Sequence, residues 1–111
     1  MNIESSLAGG VLVATLKDRM DALTAPEFDT WFSARMQAGE TRLVLDLAGL
    51  DYISSAGLRS LLAVAKRIKA VGGAVVLCGL RGTVAEVFKM SGFTAIFTVV
   101  DSSEEALSAM G

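Results

Sequence analysis

The sequence predicts an α/β or α+β domain built on a small mixed sheet, and three observations lead there. Short apolar, β-rich runs alternate with longer stretches whose apolar residues recur at helical spacing. Between the first two runs Gly9-Gly10 mark a tight turn, whereas each later pair is separated by a helix-length stretch, as parallel crossovers require. At 111 residues, 52% hydrophobic and 20% charged, the chain suits one core, so a single domain over residues 1–111 is expected.

Met1 to Leu7 reads as a weak strand that pairs with Val11 to Leu16, a continuous apolar run containing Val11, Val13 and Thr15. Thr24-Ala25-Pro26-Glu27 has a capping-box pattern, with Thr24 as N-cap, Glu27 three residues on, and Pro26 where its missing N–H costs little. Phe28, Trp31, Phe32 and Met36 then make one apolar helix face. After a strand at Leu43 to Leu47, a second helix begins near Ser55. It carries Leu58, Leu61, Leu62, Ala65 and Ile68 on one side, with Arg59, Lys66, Arg67 and Lys69 mainly on the other, and Gly72-Gly73 ends it. Ala74 to Cys78 is the next strand, followed by a short helix from about Gly82 to Met90 that Ser91-Gly92 stops. Ile96 to Val100 is the last strand, and Ser102-Ser103-Glu104-Glu105 opens a final helix with a second capping-box pattern. The order is β-β-α-β-α-β-α-β-α.

Composition removes several function classes. A net charge of −2 argues against a sequence-independent nucleic-acid binder, which needs a basic face. With no histidine, the chain lacks the usual general base, the Ser-His triads and the His-containing zinc sites. One cysteine forms no internal disulfide and fits a reducing compartment. Met1 to Glu4 carry no positive n-region, and no apolar run reaches the ~18 residues that span a bilayer. A cytoplasmic protein without signal peptide or membrane insertion is expected.

Few residues invite chemistry. Asp46 ends an apolar run as a receiver-domain phosphoacceptor does, but the acidic pair and the lysine that reading needs are missing; a polar residue bonding to nearby backbone is expected instead. Gly9-Gly10 and Gly72-Gly73 lack the spacing of a phosphate loop and suit turns and helix ends. Cys78 reads as a small core residue. Lys66, Arg67 and Lys69 suit a solvated helix face as well as a partner site. No metal site and no bound cofactor are expected.

The segment that stands out is Leu50-Asp51-Tyr52-Ile53-Ser54-Ser55-Ala56-Gly57-Leu58-Arg59. Two serines sit where a helix leaves its first N–H groups unpaired. One of them serves as N-cap, worth roughly 0.5–2 kcal/mol against alanine. A hydroxyl there is also an accessible phosphoryl acceptor, because free N–H donors and the positive end of the helix accommodate the charge.

From Leu43 to Leu58 the chain resembles the signature of STAS domains, the anti-sigma factor antagonists, and the resemblance extends over the whole chain. Arg19-Met20-Asp21-Ala22 with Thr24-Ala25, Gly73-Ala74 leading to Cys78, Val87-Phe88, and Met90-Ser91-Gly92-Phe93 match further segments in order. The resemblance implies a mixed sheet of four or five strands with about four helices packed mostly on one side. It also implies partner switching. The unphosphorylated domain binds a GHKL-type serine kinase that is itself the anti-sigma factor, phosphorylation releases it, and a PP2C-type phosphatase resets the cycle. The acceptor matches Ser55, with Ser54 the alternative, and the expected partner surface is Asp21, Ser54, Ser55, Gly57 and Leu58. The chain departs from the family pattern at Ser54, where aspartate is frequent, at Ala56, where serine or threonine is, and at Asp18, where glycine is usual and loop variation is expected. In this reading the protein is a substrate and binding module, not an enzyme. The rivals are a STAS scaffold or regulatory subunit of a transporter or signalling assembly with no phosphorylation cycle, and a small enzyme or nucleotide-binding protein.

Overall fold

Five strands lie side by side in the order in which the chain makes them. The computed structural model describes residues 1–110. Strand β1 (Asn2–Ala8) pairs antiparallel with β2 (Val11–Met20), while β3 (Arg42–Ile53), β4 (Ala74–Cys78) and β5 (Thr98–Val100) continue in parallel. Both residues of the β1–β2 turn, Gly9 and Gly10, have positive φ (57° and 81°), which a two-residue hairpin turn of the right twist demands. Helices α1 (Ala25–Gln37), α2 (Ser55–Ala70) and α3 (Gly82–Ser91) make the crossovers, and α4 (Ser103–Met110) follows β5. Of the expected four or five strands and about four helices, five strands in a mixed sheet and four helices form.

Sequential parallel strands joined by right-handed crossovers put every connecting helix on the same face. Accordingly, Phe28 and Phe32 of α1, Leu61, Val64 and Ile68 of α2, and Val84 and Phe88 of α3 share one core with Leu12, Leu16, Leu43, Leu45 and Leu77 of the sheet. Among the described residues, the other face is covered by α4, through Ala106 and Leu107 on Val11, Val44, Val76 and Cys78. Burial, with the Asp46 charge adding, pushes the Cys78 thiol up to about 11, so it stays protonated and unreactive at neutral pH. Asp46 accepts the Ala48 N–H at 3.0 Å, the local backbone role expected of it.

Three expectations are corrected. β2 and β3 run on to Met20 and Ile53, well past Leu16 and Leu47, because their parallel ladder resumes after two irregularities, Thr15/Lys17 and Asp18/Arg19. Asp18 lies in that stretch of strand at φ 74°, so it occupies a left-handed position suited to glycine and is not loop variation. β5 is shorter than expected: Phe93–Ala95 form a 3-10 turn, and Phe97 is drawn into the main core against Phe88 and Phe93, with ring centroids 6.4 and 6.1 Å away.

Candidate functional site

The parallel register pairs Met20 with Ile53, so the loops leaving β2 and β3 emerge side by side at one end of the sheet. The Ser54 N–H donates to the Met20 carbonyl at 2.9 Å and holds them together. Asp21 and Ser54, far apart in sequence, are thereby neighbours.

Ser54 is the N-cap of α2. Its backbone is extended (φ −99°, ψ 176°), and its hydroxyl accepts the Gly57 N–H at 3.4 Å while its carbonyl accepts the Leu58 N–H at 2.9 Å. Ser55 is therefore the first helical residue. Its side chain is exposed and has no hydrogen-bond partner among the described residues. The two serines divide the work that the sequence left open between them: one closes the helix end, the other leaves its hydroxyl free.

Gly57 is buried, and a Cβ there would stand 2.8 Å from both the Met20 carbonyl oxygen and Ile53 Cγ1. Its small size thus serves the close approach of α2 to β2 inside the domain. Leu58 is partly buried and packs on the main core. Of the five expected surface residues, Ser55 is exposed, Asp21, Ser54 and Leu58 are partly buried, and Gly57 is buried.

The Asp21 carboxylate organises the loop ahead of α1. One oxygen accepts the N–H groups of Leu23 (3.0 Å) and Thr24 (3.1 Å); the other accepts Arg19 Nε at 2.9 Å. Partial desolvation raises its pKa, but these N–H groups, the Arg19 guanidinium and the Thr24 hydroxyl outweigh it and hold the carboxyl below its usual range. Thr24 is the N-cap residue of α1, its carbonyl accepting the Phe28 N–H at 3.3 Å, but its side chain does not make the capping bond that the sequence suggests. Its backbone is helical (φ −100°, ψ −23°), and its hydroxyl turns back, accepting the Asp21 N–H at 2.9 Å and donating to the Arg19 carbonyl at 3.0 Å. Asp21 supplies the α1 end instead, its carbonyl accepting the Ala25 N–H at 2.8 Å.

Two exposed large apolar residues on these segments were missed in the sequence. Leu23, in the Asp21 loop, is 90% exposed, and Tyr52, beside Ser54, is 45% exposed with the Arg19 guanidinium 5.0 Å above its ring. The signal for Leu23 was its place between two turn-forming polar residues, where no core face waits for a large apolar side chain. Leu23 and Ser55 stand exposed on the two loops that the Met20–Ser54 bond joins, and Tyr52 lies two residues before Ser54 on β3. Among the described residues, no group of acidic or cysteine side chains is placed to hold a metal, and no helix is long and apolar enough to cross a membrane.

A family model described as the STAS domain matches residues 2–106. A protein of Bordetella bronchiseptica, BtrV, to which the role of anti-sigma factor antagonist is ascribed, is 44% identical over 98% of this chain and 94% of its own. A Thermotoga maritima protein to which the same role is ascribed superposes with a TM-score of 0.92 at 20% identity, over 97% of this chain and 93% of that one. The Bacillus cell fate determinant SpoIIAA in its phosphorylated form superposes at 0.76 with 20% identity, over 99% and 100%. These two structural likenesses concern the fold.

Proposed function

This chain belongs to the STAS domain family, and we propose that it is an anti-sigma factor antagonist that works by partner switching. In this reading residues 1–111 act as one cytoplasmic domain that regulates transcription by binding. Unphosphorylated, it holds a GHKL-type serine kinase that is also the anti-sigma factor and so frees the output protein. The kinase transfers the γ-phosphoryl group of ATP to Ser55 Oγ, the phosphorylated domain lets go, and a PP2C-type phosphatase restores the hydroxyl.

The observation that carries the reading is the division of labour at the start of α2. Ser54 satisfies the helix end, so the exposed Ser55 hydroxyl can be esterified without removing a cap. In this reading the exposed Leu23 and Tyr52 supply an apolar rim to the docked interface. A phosphate there adds about −1.5 to −2 charges at neutral pH, which a partner surface shaped around a bare hydroxyl must bury unpaired. A loss of only ~3 kcal/mol changes affinity more than a hundredfold. The full-length likeness to BtrV favours this reading over a transporter-linked scaffold.

The test is to incubate the protein with a GHKL-type serine kinase of the same cell and ATP, and to map phosphate by mass spectrometry. Phosphate on Ser55, with release of the kinase, is expected. Phosphate on Ser54 or elsewhere, or a phosphorylated domain that still binds the kinase tightly, overturns the reading.

A further inference from the structure

Arg59 stands one helical turn beyond Ser55 on α2, and both side chains are exposed. Residues four apart on a helix are surface neighbours, with Cβ atoms about 5–6 Å from each other. Arg59 has no ion pair and no side-chain hydrogen bond among the described residues. The positions one turn away on either side are Ser55, Ala56, Leu62 and Ala63, so Ser55 is the single polar side chain its helix offers it. The other arginines nearby or on this helix are engaged. Arg19 is bound to Asp21 and laid on Tyr52, Arg67 is bound to Ser33 and laid on Phe32, and Arg81 donates to the Ala48 carbonyl at 2.6 Å.

We propose that Arg59 is this chain's own receptor for a phosphate on Ser55: the guanidinium, unpartnered while Ser55 is a hydroxyl, closes on the phosphate oxygens once Ser55 is esterified and holds the group along the helix surface. The inference rests on Ser55 modification as proposed above. A planar guanidinium matches two phosphate oxygens at once, and an arginine C-terminal to an anion on a helix is the favourable orientation. Two consequences follow. The phosphate is fixed where it blocks docking instead of swinging aside, and Arg59 is withdrawn from any acidic group of the partner that it met before.

The experiment installs phosphoserine at position 55 of the full chain during synthesis by genetic-code expansion, so that no kinase is needed. The second ionisation of the phosphate is then followed by phosphorus NMR. In the wild-type background it should lie lower than in Arg59→Ala or Arg59→Gln by about half a pH unit, because the dianion is the form the guanidinium favours. Arg59→Lys should keep part of the shift, and Lys66→Ala, farther along the helix, should lose none of it. Equal titration in wild type and both Arg59 variants overturns the proposal. Failure of the kinase to modify Ser55 in the unmodified protein would instead sink the partner-switching reading, and this titration would still decide the role of Arg59.

Discussion

The carbonyl oxygen of Met20 accepts the Ser54 N–H at 2.9 Å and also stands 2.8 Å from where a Cβ on Gly57 would be. One backbone oxygen therefore ties the loops after β2 and β3 together and fixes how closely α2 lies on β2. The motif Ser54-Ser55-Ala56-Gly57 is held in place by the residue that precedes Asp21. This holds Ser55, the N-cap Ser54 and the Asp21 loop together.

Gly57→Ala should destabilise the domain. Alanine is the better helix former by about 1 kcal/mol, which alone would stabilise α2. The added methyl, however, meets a backbone oxygen that cannot yield without loosening the Ser54 N–H bond, and overpacking of this kind costs about 1–3 kcal/mol. Urea unfolding decides the sign. A more stable variant would mean that α2 does not lie this close to β2.

The two serines should separate cleanly. Ser54→Ala removes the N-cap acceptor and should cost about 0.5–2 kcal/mol, while Ser55→Ala should leave the midpoint of thermal unfolding within a degree or two of wild type. Only Ser55→Ala should abolish phosphorylation by the kinase. A larger loss of stability from Ser55→Ala than from Ser54→Ala would reverse the assignment of the cap.

Much of this was legible in the sequence. Strand and helix order followed from apolar periodicity, because a sheet buried on both faces writes continuous apolar runs and its helices write stripes. The juxtaposition of Asp21 with Ser54 followed from parallel pairing alone. What escaped was governed by tertiary context. The far halves of β2 and β3 contain Lys17, Asp18, Gly49 and Asp51, which no strand propensity favours, yet ladder pairing carries them through a bulge. Thr24 and Glu27 spell a capping box, but the Asp21 carboxylate, which Arg19 already holds in place, takes the Thr24 N–H, and the Thr24 hydroxyl is drawn to the Asp21 N–H. Neither serine could be assigned as cap from local pattern, since each stands within reach of an unpaired helix N–H; the backbone angles of Ser54 settle it.

Asp21→Asn should lower stability at neutral pH, and the difference should shrink in acid. The carboxyl is held below its unfolded value of roughly 3.9, so its contribution is present above that value and is lost as pH falls through the lower folded one. Unfolding measured at pH 7 and near pH 3 should show the two proteins converging. A constant gap across that range would mean that charge on Asp21 does not matter to the loop. Kinase affinity should fall as well, through disorder of the loop that carries Leu23.

Leu23→Ala and Tyr52→Ala should each weaken kinase binding by about tenfold or more while leaving unfolding nearly unchanged. Both side chains are exposed, so truncation removes little core packing, whereas an apolar anchor in an interface is worth more than ~1 kcal/mol. Calorimetric titration against the purified kinase measures this. Unchanged affinity for both variants would remove this rim from the docking surface.

Phosphorylation of Ser55 should block the partner without rearranging the host. The modified residue lies at the first position of α2, where unpaired N–H groups and the positive helix end favour an anion by about 0.3–1 kcal/mol. Its cap is a different residue, and the Met20–Ser54 bond that anchors the loop involves only backbone atoms, so nothing in the host must break to admit the group. The partner has no such accommodation and meets added volume and charge together. Backbone amide NMR shifts should therefore change around Asp21, Tyr52 to Arg59 and little beyond, with the thermal midpoint steady or slightly raised, while the dissociation constant for the kinase rises by at least a hundredfold. Shifts spread through β1, β4 and β5, or a large fall in the midpoint, would show a conformational switch in place of a local block. The strands most distant from Ser55 are the ones to watch, because a rigid sheet either transmits a change to all of them or to none.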